Sequence, residues 1–251
     1  MDLTGKIALV TGGSGDLGGA IARALAAAGV DVAVSHASRP DEAAATAAAV
    51  REAGRRSLSV TLDQRDPIAI DLAVGQVVAE LGRLDILVNN AAWNVGIPFT
   101  DLDALTADVW DRILEINLRG PYLLARACAG HLRAGGAGRI VNIASVGGLY
   151  PGSSSIAYSA SKAGLIHLSR CLAVALAPAV TVNCIAPGLV EGTRMARRLP
   201  DEVAQWARGQ AVLGRTGSAR DIAEQTVAFC RAESVTGQVL VVDGGMPAVM
   251  H

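Results

Sequence analysis

Short apolar runs recur along the chain, each closed by glycine or turn-forming residues and each followed by a stretch rich in alanine and leucine. Residues 6–10, KIALV, are such a run between Gly5 and a glycine cluster. A parallel strand covered by helices on both faces loses the alternation of a half-exposed strand and becomes continuously apolar, so this run predicts a buried strand. Residues 17–28 then predict a helix ended by Gly29, 30–34 a second strand, 41–53 a helix ended by Gly54, and 56–62 a third strand. The period continues with a helix at 67–81, a strand at 84–88, and a long helical stretch at 106–134 that Pro121 breaks or bends. A strand at 139–143, a helix at 159–177 that stops before Pro178, and strands at 180–185 and 239–242 complete the series. Strands joined through helices align in parallel, so the pattern predicts an α/β fold: one doubly wound sheet with helices on both faces.

With 251 residues, 51% hydrophobic and 18% charged, the chain is expected to form a single domain over 1–251 and not a disordered segment. The segment 188–218 breaks the alternation with glycines, Arg197-Arg198 and Pro200, and is expected to form a flap over a site at about 189–217. The formal net charge of −1 and the lack of a basic run argue against nucleic acid as a partner. The apolar stretch 171–180 is about half of the ~20 residues a membrane span needs, so no membrane association is expected. The start MDLTGK lacks the basic segment of an export signal, and a cytoplasmic location is expected. Cys128, Cys171, Cys184 and Cys230 are far apart and no histidines cluster, so neither a metal site nor a redox pair is expected.

Directly after the first strand comes Val10-Thr11-Gly12-Gly13-Ser14-Gly15-Asp16-Leu17-Gly18, which opens the first helix. Glycines there let the backbone approach a pyrophosphate, and the helix start beyond offers unpaired N–H groups and the positive end of its dipole. A G-x-G-x-x-G match through Gly13, Gly15 and Gly18 in strand–turn–helix context points to dinucleotide binding in a Rossmann-type domain.

Further motifs in order along nearly the whole chain resemble the short-chain dehydrogenase/reductase family, and among its members the 3-oxoacyl-carrier-protein reductases and generic alcohol dehydrogenases. Thr11, Gly12 and Gly18 fit its T-G-x-x-x-G-x-G pattern, with Asp16 in place of the middle glycine. A carboxylate there repels a pyrophosphate unless it turns away or Gly15 takes over the close approach. Asn89-Asn90-Ala91-Ala92 resembles N-N-A-G with alanine last, and Asn117 matches the family's helical asparagine. Ser145 matches the catalytic serine, Tyr158-Ser159-Ala160-Ser161-Lys162 matches Y-x-x-x-K, and Val242-Asp243-Gly244-Gly245 matches the C-terminal signature. Pro187-Gly188 followed by Thr193 resembles the loop that contacts nicotinamide, the threonine standing one residue late.

The resemblance implies an NAD(P)(H)-dependent enzyme that interconverts a carbonyl compound and an alcohol. It assigns catalysis to Asn117, Ser145, Tyr158 and Lys162, and cofactor binding to Gly12, Ser14, Gly15, Asp16, Leu17, Gly18, Asp63, Gln64, Asn90, Pro187, Gly188, Val190 and Thr193, with Tyr158 and Lys162 shared. Tyr158 would exchange a proton with the substrate oxygen, Lys162 would also hold the nicotinamide ribose, and Asn117 would position a water that relays protons to Lys162.

Tyr158 and Lys162 are four residues apart on a predicted helix, so their side chains leave the same face. An ammonium beside a phenol favours the phenolate and is expected to lower a pKa that is otherwise about 10. Lys6 and Lys162 are the only lysines in the chain, which otherwise uses arginine, and this marks Lys162 as a place where a compact cation is needed. At the end of the second strand Ser35-His36-Ala37-Ser38-Arg39 contains no acid to bind a ribose 2′-hydroxyl, which favours NADP over NAD. Trp93, Asn94, the 147–155 loop with Tyr150, and Met195 and Trp206 of the flap are expected around a small-molecule substrate with an apolar portion. Two alternatives stay open: an NAD-dependent dehydrogenase of a sugar or cyclic alcohol, and a non-catalytic nucleotide-sensing protein of the same fold. Leu123, Leu124, Leu168 and Leu172 supply more apolar surface than one helix face needs, and with the resemblance they suggest a homotetramer or homodimer.

Overall fold

The structure is a computed structural model that describes residues 1–152 and 154–249. Seven parallel strands form one sheet: β1 (Ile7–Val10), β2 (Asp31–His36), β3 (Ser57–Thr61), β4 (Ile86–Asn89), β5 (Gly138–Ile143), β6 (Val180–Pro187) and β7 (Val239–Val242), in the spatial order β3-β2-β1-β4-β5-β6-β7. The helices between them are α1 (Asp16–Ala27), α2 (Pro40–Glu52), α3 (Pro67–Leu81), α4 (Ala107–Leu114), α5 (Gly120–Ala134), α6 (Ile156–Leu176), α7 (Asp201–Gln210) and α8 (Ala219–Arg231). This is the doubly wound, Rossmann-type α/β fold that the sequence predicts.

The continuous apolar strands have the expected cause. Along β1, Ala8 and Val10 join a core layer with α1, α2 and α8, while Ile7 and Leu9 face the opposite layer beneath α3, α5 and α6. Both faces are covered, so no position in the strand is left for a polar side chain. The connection order reverses beside β1, whose neighbours are β2 and β4, and at such a switch point the carboxyl ends of the strands open a crevice for ligands.

Two elements depart from the expectations. The 106–134 stretch is interrupted, as expected near Pro121, but just ahead of it, by a π-helical turn at Glu115–Arg119 between α4 and α5. Pro121 lies in the first turn of α5, where its missing N–H is tolerated, so the irregular turn ahead of it accommodates the proline. Helix α8 has no counterpart in the sequence reading, although Ser218 and Asp221 cap it reciprocally. It packs Ile222, Ala223 and Val227 into the same layer as α1. The 188–218 segment contains a short turn at Ala196–Arg198 and then α7. Among the described residues no helix is long and apolar enough to cross a membrane.

Candidate active site

The glycine turn between β1 and α1 is shaped by what glycine leaves out. Gly12 has φ +65°, a left-handed conformation costly for other residues, and a Cβ there would lie 3.0 Å from Cα of Ala91. A Cβ on Gly13 would come within 2.6 Å of Val34 on β2, and one on Gly18 within 2.3 Å of the Gly12 carbonyl oxygen. Gly15 is less constrained, with the Gly12 oxygen 3.3 Å away. Thr11 Oγ1 accepts the main-chain N–H groups of Asn90 and Ala91, both at 2.9 Å, and Asn90 Nδ2 donates to the Thr11 carbonyl at 2.9 Å, which clamps the turn to the end of β4. No side chain caps the start of α1. Free N–H groups at a helix start, reached over a turn without side chains, fit the diphosphate of a dinucleotide.

Asp16 is the first residue of α1, and its carboxylate points across to the flap, where Oδ2 accepts the main-chain N–H of Arg194 at 2.6 Å. This geometry answers the question raised by the missing glycine, because the charge is turned toward arginines. Leu17 packs against the α1–α8 layer.

The second cluster sits at the carboxyl end of β5. Ser145 caps the short turn Val146–Gly148, and its Oγ accepts the Gly147 N–H at 3.1 Å. The Ser145 hydroxyl acts on the Tyr158 phenol in the sense that favours its ionised form. Tyr158 and Lys162 leave α6 together and are both buried. The turn packs closely on α6 at this point, since a Cβ on Gly148 would lie 2.6 Å from the carbonyl carbon of Lys162. Lys162 Nζ donates to the Ile143 carbonyl at 2.9 Å and stands 5.6 Å from the centre of the Tyr158 ring.

The electrostatics differ from the expectation that the ammonium depresses the phenol. Burial pushes the Tyr158 phenol above its ordinary value, with the Ser145 hydrogen bond acting in the opposite direction. Burial likewise pulls Lys162 down from 10.5 to about 8, against a weaker opposing influence of the Cys184 thiol. Desolvation disfavours the charged form of each, so the phenol holds its proton more firmly and the ammonium gives its proton up more readily than in water.

Asn117 lies fully buried in the π turn, and its side chain is spent on structure. Oδ1 accepts the Trp93 N–H at 2.8 Å, and Nδ2 donates to the Trp93 carbonyl at 2.9 Å and to Ser161 Oγ at 3.2 Å. Its main-chain carbonyl receives no N–H from residue 121, four residues on, because that residue is proline. Gln64 is also committed, with Nε2 donating to the carbonyls of Ala91 at 3.2 Å and Ile116 at 2.6 Å, so it bridges the β4 end to the π turn. Asp63 is paired with Arg65 at 2.6 Å, which holds its carboxyl below the usual range through the hydrogen bond to Arg65. Pro187 ends β6, and Gly188 follows with its N–H on the Val242 carbonyl at 3.0 Å; a Cβ there would meet Asp243 at 2.7 Å. Thr193 Oγ1 donates to the Val190 carbonyl at 2.8 Å, which turns the chain into the flap.

Of the residues expected around a substrate, Trp93 shares an apolar cluster with Tyr158, Ala157 and Ile113. Asn94 hydrogen-bonds Ser154 and Ser155, which ties the 147–155 loop to the loop after β4; Ser153 of that loop lies outside the described residues. Tyr150 packs with Val146 and Met246. Met195 and Trp206 are each 53% exposed and do not join the Tyr158 cluster. The sequence reading missed Met246, Arg112, which stacks 4.3 Å over the Trp93 ring, and Arg194. Nothing in their local sequence marks them, since each acts on a partner far away along the chain.

Fold and site together define a nucleotide-binding oxidoreductase of the doubly wound class. Residues 6–204 match the family model for short chain dehydrogenases, and the chain belongs to that family. It is 38% identical over 251 residues to the 3-oxoacyl-(acyl-carrier-protein) reductase FabG of Escherichia coli K12, covering 98% of this chain and 99% of that one. A short chain dehydrogenase from Burkholderia cenocepacia, solved in complex with NADP, superposes with a TM-score of 0.90 at 37% identity, covering 98% of this chain and all of that one. An NAD+-bound xylitol dehydrogenase superposes with a TM-score of 0.91 at 30% identity over 98% of this chain and 100% of that one. The protein is thus an oxidoreductase that uses a nicotinamide dinucleotide.

Proposed function

We propose that the chain interconverts a ketone or aldehyde and the matching alcohol, with Tyr158 as general acid and base. The observation that carries this reading is the convergence at the carboxyl edge of the sheet of Ser145, which caps the turn after β5, with the buried Tyr158 phenol and, one helical turn on, the buried Lys162 held on the Ile143 carbonyl. When bound, the nicotinamide supplies or accepts the hydride. Ser145 Oγ has taken the Gly147 N–H, so its own proton is left to donate to a substrate oxygen. Tyr158 gives its proton to that oxygen during reduction and withdraws it during oxidation. Lys162 holds the ribose side and, with a pKa of about 8, is able to pass a proton near neutral pH. The main-chain carbonyl of Asn117 receives the relay water, while its side chain fixes Trp93 as an apolar wall for the substrate.

The cofactor preference we propose is NADP, because the end of β2 offers Ser35, His36 and Arg39 and no carboxylate. The NAD+-bound xylitol dehydrogenase supports the second reading, an NAD-dependent sugar or cyclic alcohol dehydrogenase, and coenzyme titration separates the two. The 189–217 segment serves as the flap of a single 1–251 domain. The assembly is a homotetramer or homodimer, but through other residues than first expected. Leu123, Leu124 and Leu172 are buried within the chain and Leu168 packs beside them, whereas Tyr122 on α5 and Val174 on α6 are 46% and 82% exposed.

The decisive experiment is Tyr158→Phe with carbonyl substrates. Turnover is expected to fall by about 10²–10⁴-fold while dinucleotide affinity is retained. Undiminished turnover overturns the tyrosine mechanism, and the non-catalytic alternative requires that the unaltered protein turn over no carbonyl or alcohol at all.

A further inference from the structure

Arg194 of the flap connects three separate parts of the cofactor end of the sheet. Its main-chain N–H is held by Asp16 Oδ2 at 2.6 Å, its Nη2 donates to the Ser14 carbonyl in the glycine turn at 2.7 Å, and its Nη1 meets Glu42 Oε1 in the first turn of α2 at 3.3 Å. Arg197 stands 3.8 Å from the same Asp16 oxygen. Asp16, Arg194 and Glu42 are all at least one-third exposed, so these pairs are screened and contribute little to folding. Their arrangement needs another reason.

Asp16 and Glu42 place two negative charges around a turn built to receive a diphosphate, and alone they would oppose it. The guanidinium of Arg194 lies on that turn, between both carboxylates, and a guanidinium pairs with phosphate oxygens in a fixed two-pronged geometry. We propose that Arg194 is the cation that grips the dinucleotide's diphosphate in this enzyme, and that Asp16, standing where the family has glycine, is its positioning residue. Asp16 fixes the main chain of Arg194 at the base of the flap, so that closing the flap and neutralising the turn are the same event. This inference rests on the dinucleotide-binding reading of the glycine turn.

Fluorescence titrations with NADPH and with NADH test it on the full-length protein, for the unaltered chain, Arg194→Ala, Arg194→Lys, Asp16→Gly and the Asp16→Gly/Arg194→Ala double variant. Hydrogen exchange of residues 189–200 without nucleotide gives a second readout that needs no cofactor. Arg194→Ala is expected to weaken both coenzymes by about tenfold at low salt and less at about 0.5 M NaCl. Arg194→Lys recovers part of the loss, and Asp16→Gly alone costs less than Arg194→Ala. The double variant binds more tightly than Arg194→Ala, because the unneutralised carboxylate is gone. Exchange in 189–200 quickens in Asp16→Gly and in Arg194→Ala. Affinities within about twofold of the unaltered protein for Arg194→Ala overturn the proposal. So does a loss confined to NADPH, which would assign Arg194 to the 2′-phosphate, or a double variant weaker than Arg194→Ala. Unchanged exchange overturns the role of Asp16. An unaltered protein that binds neither coenzyme refutes the dinucleotide reading itself, whatever the exchange shows.

Discussion

The shelf formed by the β5 end and α6 and the flap at 189–217 face the same crevice but are held by opposite kinds of force. On the shelf, Ser145, Tyr158 and Lys162 are each less than 9% exposed, and the turn that carries Ser145 touches the backbone of α6 with no space for a methyl group. Position there is set by packing, which tolerates almost no displacement. The flap meets the body through solvent-exposed pairs of Arg194 with Asp16 and Glu42 near its start and through main-chain bonds of Val212 and Leu213 to Gly245 and Gly244 near its end, while Arg208 pairs with Glu191 inside the flap itself at 2.8 Å. Such exposed pairs are individually weak and salt-sensitive, in keeping with the proposal that this segment serves as a flap. On the proposed reading, chemistry is placed on the firmly packed element and access on the more weakly held one.

The sharpest way to break this contrast is Gly148→Ala. The added Cβ would meet the main chain of Lys162, and backbone atoms cannot step aside as a side-chain end can. A stability loss of about 1–3 kcal/mol by denaturant unfolding is expected, with turnover falling further than stability explains because Lys162 is displaced. Unchanged stability and turnover would show that the shelf is not tightly packed.

Lys162→Met should separate function from stability in the other direction. A lysine whose pKa falls from 10.5 to about 8 on folding binds fewer protons in the folded than in the unfolded chain between those values. Stability therefore rises as pH increases through that window, and below it the full cost of burying the charge, about 3 kcal/mol, is present. Replacing the lysine removes that cost but strands the Ile143 carbonyl, for a net gain of about 1–2 kcal/mol at pH 7 and turnover lost. The gain should shrink toward pH 10.5, and a variant destabilised at pH 7 would contradict the burial argument.

The smallest effect belongs to the flap. Glu191→Ala removes the paired contact to Arg208 and the Thr216 bond, yet the Glu191–Arg208 pair is solvent-exposed and only the Thr216 bond is part-buried. A change below about 1 kcal/mol is expected, vanishing in high salt. A larger, salt-independent loss would mean that the flap is internally as tightly held as the shelf.

Much of the fold was legible because a parallel sheet covered on both sides writes its strands as continuous apolar runs. Helix α3 and strand β7 lie at the predicted positions, 67–81 and 239–242. Helix α8 follows the irregular 188–218 segment, where the alternation of apolar runs is lost, although Ser218 and Asp221 mark its start and Ile222, Ala223 and Val227 form its buried stripe. In the candidate site, the spacing of Tyr158 and Lys162 and the family resemblance of Ser145 mark three residues that the fold brings to one end of the sheet. The electrostatic expectation for Tyr158 did not hold, because spacing says that two groups are neighbours but not how deeply they are buried.

The sequence by itself determined the alternation of strands and helices, the glycine turn after β1 and the one-turn spacing of Tyr158 and Lys162, since all three depend on residues close together in the chain. Only the tertiary structure decided that the Asn117 amide is spent on Trp93, that Gln64 ties the π turn to the end of β4, and that Asp16 meets Arg194 across 178 residues of chain. These contacts join groups whose local sequence carries no trace of the partner, and they form only when the sheet brings the strand ends to one edge.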